Sequence, residues 1–272
     1  MILILRGHVR NSFNDDNLYN LINKIYQTNN DLCIYISTFN IIQNNISWRK
    51  IDIINNVVTD EFIKTYFKNL SHLIKYILII NDTQIKLIGN LIGNINNGPA
   101  PIIGWKNYWY CKYQIINYIN NLFENKQKFI VNLRFDIFSN SNNSSENEII
   151  NLIEKYKNKP LTQNIFAKNY KCYGIDNVYI GNLKTQYSLI FNFHHNLDQI
   201  LKINEKTINQ EFLVFVENTN MFCKNILEDF DWQIYINNYT DLQKAGINNE
   251  ELAIKHWQQY GINEGRICNK IL

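Results

Sequence analysis

The chain predicts an α/β fold, and three observations carry that prediction. Residues 2–5 (ILIL) and 31–36 (DLCIYI) are short continuous apolar runs, the pattern of strands buried on both faces of a parallel sheet. Between them Leu18, Leu21, Ile22 and Ile25 recur at i, i+3, i+4 and i+7, which draws one apolar stripe along a helix with Asp15 and Asp16 at its positive end. Strand, helix and strand in this order make a βαβ unit. The third observation is the run 129–138 (FIVNLRFDIF), a β-rich stretch that closes on Arg134-x-Asp136 before a Ser/Asn loop. Open α/β sheets place their ligands at such strand ends.

The remaining elements follow in order. Residues 51–58 are read as a third strand and 60–70 as a helix capped by Thr59 or Asp60. Residues 71–91 are read as helix, although the ILII of 77–80 also fits a strand. Glycine and proline concentrate in 93–104 (GNINNGPAPIIG), which marks a loop. An aromatic-rich helix is expected over 105–123, a loop over 140–145, a helix over 146–157, an edge or late strand over 178–181, and mostly helical or mixed structure over 185–203 and 210–225. From Phe230 the texture changes. Residues 231–246 read as one helical turn-and-stop unit, and 249–261 as a helix with Glu250 and Glu251 at its start, Lys255 and His256 late, and Gly261 as terminator. The expected division is an α/β domain over 1–225 and a small helical module over 230–272 that docks on the main domain or on a partner.

Composition narrows the function classes. With 46% hydrophobic and 14% aromatic residues, the 272-residue chain has ample material for a packed core. The net charge of +3 is spread over scattered lysines rather than massed on one face, so nucleic acid is not an expected partner. The five cysteines are odd in number and form no C-x-x-C pair, which removes zinc-ribbon and finger spacing and points to reduced thiols in a cytoplasmic protein. Arg6 interrupts the first apolar run too early for a signal peptide, and no stretch has the length of a membrane span, so no integral membrane segment is expected. The G-x-x-x-x-G-K-[ST], G-x-G-x-x-G, G-x-S-x-G and H-E-x-x-H patterns are all missing.

The order of short motifs supplies a resemblance. ILILRGHVRNSF, a helix, and then DLCIYISTFN resemble the opening of sugar-nucleotide glycosyltransferase-like proteins of GT-A type. Those begin with a strand, a Gly-x-x-Arg turn, a helix and a strand ending in a Thr-Trp-like pair. The corresponding residues here are Gly7, Arg10 and Thr38-Phe39, with Phe in place of Trp. VNLRFDIF resembles the Arg-x-Asp element that stands where other GT-A enzymes carry Asp-x-Asp, and the order closes with DNVYIG at 176–181. The tail FDWQIYINNYTDLQKAGINNEELAIKHWQQYGINEGR, residues 230–266, resembles a short module found beside glycosyltransferase domains in giant-virus and bacterial surface-polysaccharide proteins.

This resemblance implies a GT-A-like, Rossmann-like mixed sheet flanked by helices, in the host cytoplasm or the virion if the source is viral. It implies transfer of a sugar from a nucleotide-sugar donor to a glycan or protein acceptor. The alternative is a catalytically inactive GT-A-like or glycan-associated binding protein. Gly7, Arg10 and Thr38 would meet the donor's base or phosphate, Gly by close backbone approach and Arg by a bidentate fork. Asp136 would make the metal or ribose contact, with Mn²⁺ or Mg²⁺ as the cation and His195 as a late second ligand. Because Arg134 replaces the first Asp, a metal would have one carboxylate fewer, and Arg134 can itself neutralise phosphate. Asp176 would deprotonate or orient an acceptor hydroxyl. Trp105 and Lys106, beside the glycine-rich loop, suit a sugar-phosphate pocket under a lid. Each residue also has a plainer reading: a local Arg–Asp pair, a turn-forming Asp before a strand, an aromatic stripe in the core, and packed histidines.

Overall fold

A computed structural model describes residues 1–45, 52–81, 83–138, 144–168, 174–205, 210–227, 230–261, 264 and 266. The chain divides into two units, Met1–Glu217 and Asn218–Leu272.

The first unit opens with the anticipated βαβ: β1 (Ile2–Arg6), α1 (Asn17–Thr28) and β2 (Cys33–Phe39). A short antiparallel pair follows, β3 (Ile41–Gln43) with β4 (Ile54–Val57). Then come α2 (Asp60–Phe67), capped by the Thr59 side chain, and β5 (Ile74–Ile80). After the glycine-rich loop, α3 (Ile102–Leu122) leads into β6 (Phe129–Arg134). The last part holds α4 (Glu146–Tyr156), β7 (Ile165–Phe166), β8 (Val178–Asn182) and α5 (Leu183–Ile203). A Ser145/Glu148 capping box starts α4, and an Asn182/Thr185 box starts α5.

These strands form one six-stranded mixed sheet in the order β5-β2-β1-β6-β8-β7. β5, β2, β1 and β6 run parallel, and β8 is antiparallel to both of its neighbours. The chain therefore builds outward from β1 on one side and then resumes with β6 on the other. The gap between β1 and β6 is a topological switch point.

Side-chain alternation gives the two faces of this sheet different characters. Leu3, Leu5, Ile34, Ile36, Val131, Leu133, Val178 and Ile180 belong to one apolar core with Leu21 and Ile22 of α1, Ile63 and Phe67 of α2, and Ile149 and Ile153 of α4. The alternate positions include Ser37, Arg6, Asn132 and Arg134. Contacts with α3 and α5 serve this second set: Ser37 Oγ donates to the Cys111 carbonyl at 3.0 Å, and Gln186 Nε2 donates to the Ile130 carbonyl at 3.0 Å.

Several sequence expectations need correction. Residues 74–80 are strand, not helix: the KYILII stretch pairs with β2, and sheet pairing overrides the helical reading. Residues 54–57 do form a strand, but an exposed one outside the main sheet. Of the two readings of 178–181, edge or late strand, the second holds: β8 is the last of the described strands but lies inside the sheet, with β7 beyond it. Residues 140–143 of the expected loop lie outside the described residues.

α6 (Gln210–Leu227) runs across the division between the units. In the second unit the tail forms α7 (Trp232–Asn238), α8 (Thr240–Lys244) and α9 (Glu250–His256), followed by a wider helical turn over Trp257–Gly261. Tyr235, Ile236, Leu242, Ala253 and Trp257 make its core. Arg266 clamps Asp241 with Nη1 at 3.1 Å and Nη2 at 2.8 Å. Gly261 acts through close packing, since a Cβ there would collide with the Tyr235 hydroxyl. No helix among the described residues is long and apolar enough to cross a membrane.

Candidate functional site

Arg6 and Arg134 are register partners at the carboxyl ends of β1 and β6, so two arginines end adjacent strands at the switch point. Each organises a polar cluster. Arg6, only 1% exposed, donates to Asn132 Oδ1 at 2.5 Å, to Tyr108 Oη at 2.6 Å and to the Asp176 carbonyl. Tyr108 and Lys112 stand one turn apart on α3 and both donate to Asp176 Oδ2, at 2.7 and 2.8 Å. The Lys112 ammonium also lies 3.9 Å from the ring centre of Trp109 and 4.3 Å from that of Tyr108. Below them Asn132 donates to Gln186 Oε1 at 3.1 Å, which ties the strand to α5.

The second cluster centres on Asp136. Arg134 grips this carboxylate bidentately, Nε to Oδ1 at 2.8 Å and Nη2 to Oδ2 at 2.7 Å, and its Nη1 reaches Asn177 Oδ1 at 3.2 Å. Arg10 adds a third contact, Nη1 to Oδ2 at 2.7 Å. Backbone geometry places Arg10: Gly7 has φ +92° and Arg10 itself φ +51°, a region that costs a non-glycine residue strain energy. The loop is pinned at both ends. Thr38 Oγ1 donates to the Gly7 carbonyl at 2.9 Å, and the Arg10 amide donates to the Ile42 carbonyl at 3.0 Å. His8 stacks on Phe39 with ring centres 4.1 Å apart, and its buried Nε2 has no hydrogen-bond partner among the described residues.

The electrostatics follow from this packing. Burial alone would raise both carboxyl groups, but the cations outweigh it. Lys112 and Arg6 hold Asp176 below the usual carboxylate range, and Arg134 and Arg10 do the same for Asp136. Burial, joined by the Arg6 charge, pulls the Lys112 amine well below its ordinary value. Burial raises the Tyr108 phenol. Burial and then Arg10 lower the His8 pKa from 6.5 to about 3.

His8 yields a pH prediction. It is neutral when folded and titrates near 6.5 when unfolded, so its contribution is complete above pH 6.5 and declines as pH falls from there toward 3. Burial places His194 in the same situation, lowered to about 4. Urea unfolding of the wild type should lose stability between pH 6.5 and 4, with a slope of at most ~1.4 kcal/mol per pH unit for each histidine. His8→Phe should flatten that slope; an unchanged slope would remove His8 from the account.

The structure joins Gly7, Arg10, Thr38, Arg134, Asp136 and Asp176 around the β1/β6 strand ends. Three other sequence candidates take different places. Trp105 packs edge-on against Trp109 and Phe193. Lys106 donates to the Ile88 carbonyl and pairs with Asp198 at 2.8 Å. His195 sits on α5 against Phe191, Tyr113 and His194. Arg6, Tyr108, Lys112 and Asn132 were not anticipated. The signals were a lysine one turn after Tyr108 in an aromatic helix face and an asparagine inside an apolar strand, both anomalous for buried positions.

A divalent cation needs several oxygen ligands carrying net negative charge. Here both oxygens of Asp136 are held by guanidinium groups, Oδ2 of Asp176 is held by an ammonium and a phenol, and four cationic side chains face two carboxylates. This donor set does not fit a divalent cation; its charge and forked donors fit an anion.

No family model, curated protein or solved structure matches the chain. Its class is the one its own architecture defines: an α/β protein with a mixed sheet and a cation-rich cluster at the switch point.

Proposed function

We propose that the chain is a glycosyltransferase of the GT-A-like kind, which moves a sugar from a nucleoside-diphosphate donor to a glycan or protein acceptor. The observation that carries this reading is the excess of positive charge, part buried and part exposed, at the carboxyl ends of β1 and β6. A departing nucleoside diphosphate develops negative charge on its phosphate oxygens, and preplaced guanidinium groups stabilise that charge without reorganising. Arg10 and Arg134 take this role. Asp136 holds their forks in position, and Gly7 and Thr38 shape the loop that delivers Arg10. Asp176 orients rather than deprotonates an acceptor, because its low pKa makes it a weak base.

That weak basicity also favours a second reading, a protein that binds a sugar nucleotide without transferring the sugar. Melting curves with UDP, GDP and their sugar conjugates test the shared part. At a hundredfold excess over Kd, the matching nucleotide should raise the midpoint by roughly 5–10 °C, and Asp136→Ala should abolish most of that rise. No rise with any of them would defeat both readings. Release of free nucleoside diphosphate on addition of acceptor then separates transferase from binder.

A further inference from the structure

The cations at this site form two tiers. Arg6 and Lys112 are sealed beneath it, at 1% and 0% exposure, whereas the side chains of Arg10 and Arg134 keep 23% and 22%. The sealed tier is braced by Asn132, Tyr108 and Asp176. The open tier is braced by Asp136, which holds both guanidinium groups through one carboxylate. A divalent cation brought to Asp136 would have to displace guanidinium contacts and then sit beside the very charges it displaced.

We propose that the site binds the donor diphosphate without a divalent cation, the Arg10–Arg134 pair supplying the charge that a metal would. This rests on the nucleotide-sugar reading above. Three features support it. Positive charge is already present in the protein, two partly exposed guanidinium groups sharing the single carboxylate of Asp136. Arg10 is preplaced by a loop tied at Gly7 and at its own amide, so no ordering of that loop by a metal is required. The lower tier keeps the local field positive even when the phosphate neutralises the upper one.

Titration calorimetry with UDP and with GDP tests this, run once in EDTA and once with Mn²⁺ or Mg²⁺. Binding in EDTA, with affinity changed less than about threefold by either metal and weakened by added salt, is the expected result. Arg10→Ala should lower the EDTA affinity roughly 10- to 100-fold, with no rescue by Mn²⁺, and Arg10→Lys should recover part of the loss. Arg10 lies in a partly exposed loop, and unchanged melting of the unliganded variant checks its folding. Binding that appears only with metal overturns this proposal and leaves the nucleotide-sugar reading standing. Full affinity of Arg10→Ala in EDTA also overturns it. Binding under neither condition overturns both.

Discussion

Asp176→Asn will destabilise the chain by about 3–5 kcal/mol, because it leaves the Lys112 ammonium buried without its counter-charge. The near-isosteric amide keeps the shape while removing the charge and one acceptor oxygen, so the loss reports the ion pair and its hydrogen bonds rather than a cavity. Lys112 can escape by releasing its proton, and its pKa is already pulled down by burial and by Arg6. A lysine that is neutral when folded and charged when unfolded favours the folded state at higher pH. The variant should therefore be weakest near neutrality and recover toward pH 9–10, the usual lysine range being ~10.4. Urea midpoints across this range check both the size and the sign. Adding Lys112→Met should return much of the loss, since it removes the stranded charge. A single-variant cost under about 1 kcal/mol at pH 7 would mean that the pair is not a structural element.

Trp109→Ala should cost a similar amount, about 3–5 kcal/mol, for a different reason. The indole is fully buried and stacks on Phe193 with ring centres 4.2 Å apart and planes 8° from parallel. Its face also carries the Lys112 ammonium. Truncation opens a cavity between α3 and α5 and removes the surface that holds Lys112 toward Asp176. Trp109→Phe keeps the stack and should recover more than half of the loss by denaturant unfolding. If both variants cost the same, the cavity account fails.

Much of the scaffold was legible because its central strands are continuous apolar runs and its first helix has a clean stripe. β1, α1, β2 and β6 needed nothing beyond that pattern. β5 was harder, because KYILII lies in a long apolar context whose periodicity fits either element, and only its pairing with β2 decides. Residues 54–57 show the reverse case: the local strand preference was right, but their partner is a three-residue strand outside the sheet. At the site, charged residues that end strands were visible because the run stops there. Arg6 was read as such a stop, and its burial under Tyr108 depends on where α3 lies, which local pattern does not encode. Trp105 and Lys106 drew notice through a neighbouring loop, yet helix phase turns Trp105 toward Phe193 and Lys106 toward Asp198. His195 lies on a helix whose partners are aromatic, a setting that sequence spacing alone could not reveal.

The switch-point contacts also bear on how the protein comes into being. Arg6 meets Asn132 across a sequence separation of 126 residues and Asp176 across 170. Loops of that length must close before Arg6 forms these bonds, whereas Lys112 and Tyr108 reach Asp176 across only 64 and 68 residues. A nascent chain can pair β1 with β2 early, but it cannot assemble the cation-rich cluster until β6, and then the segment before β8, have arrived. The cluster is thus completed late, and a truncated product that retains the first βαβ unit would carry the loop of Arg10 without the carboxylate that aims it.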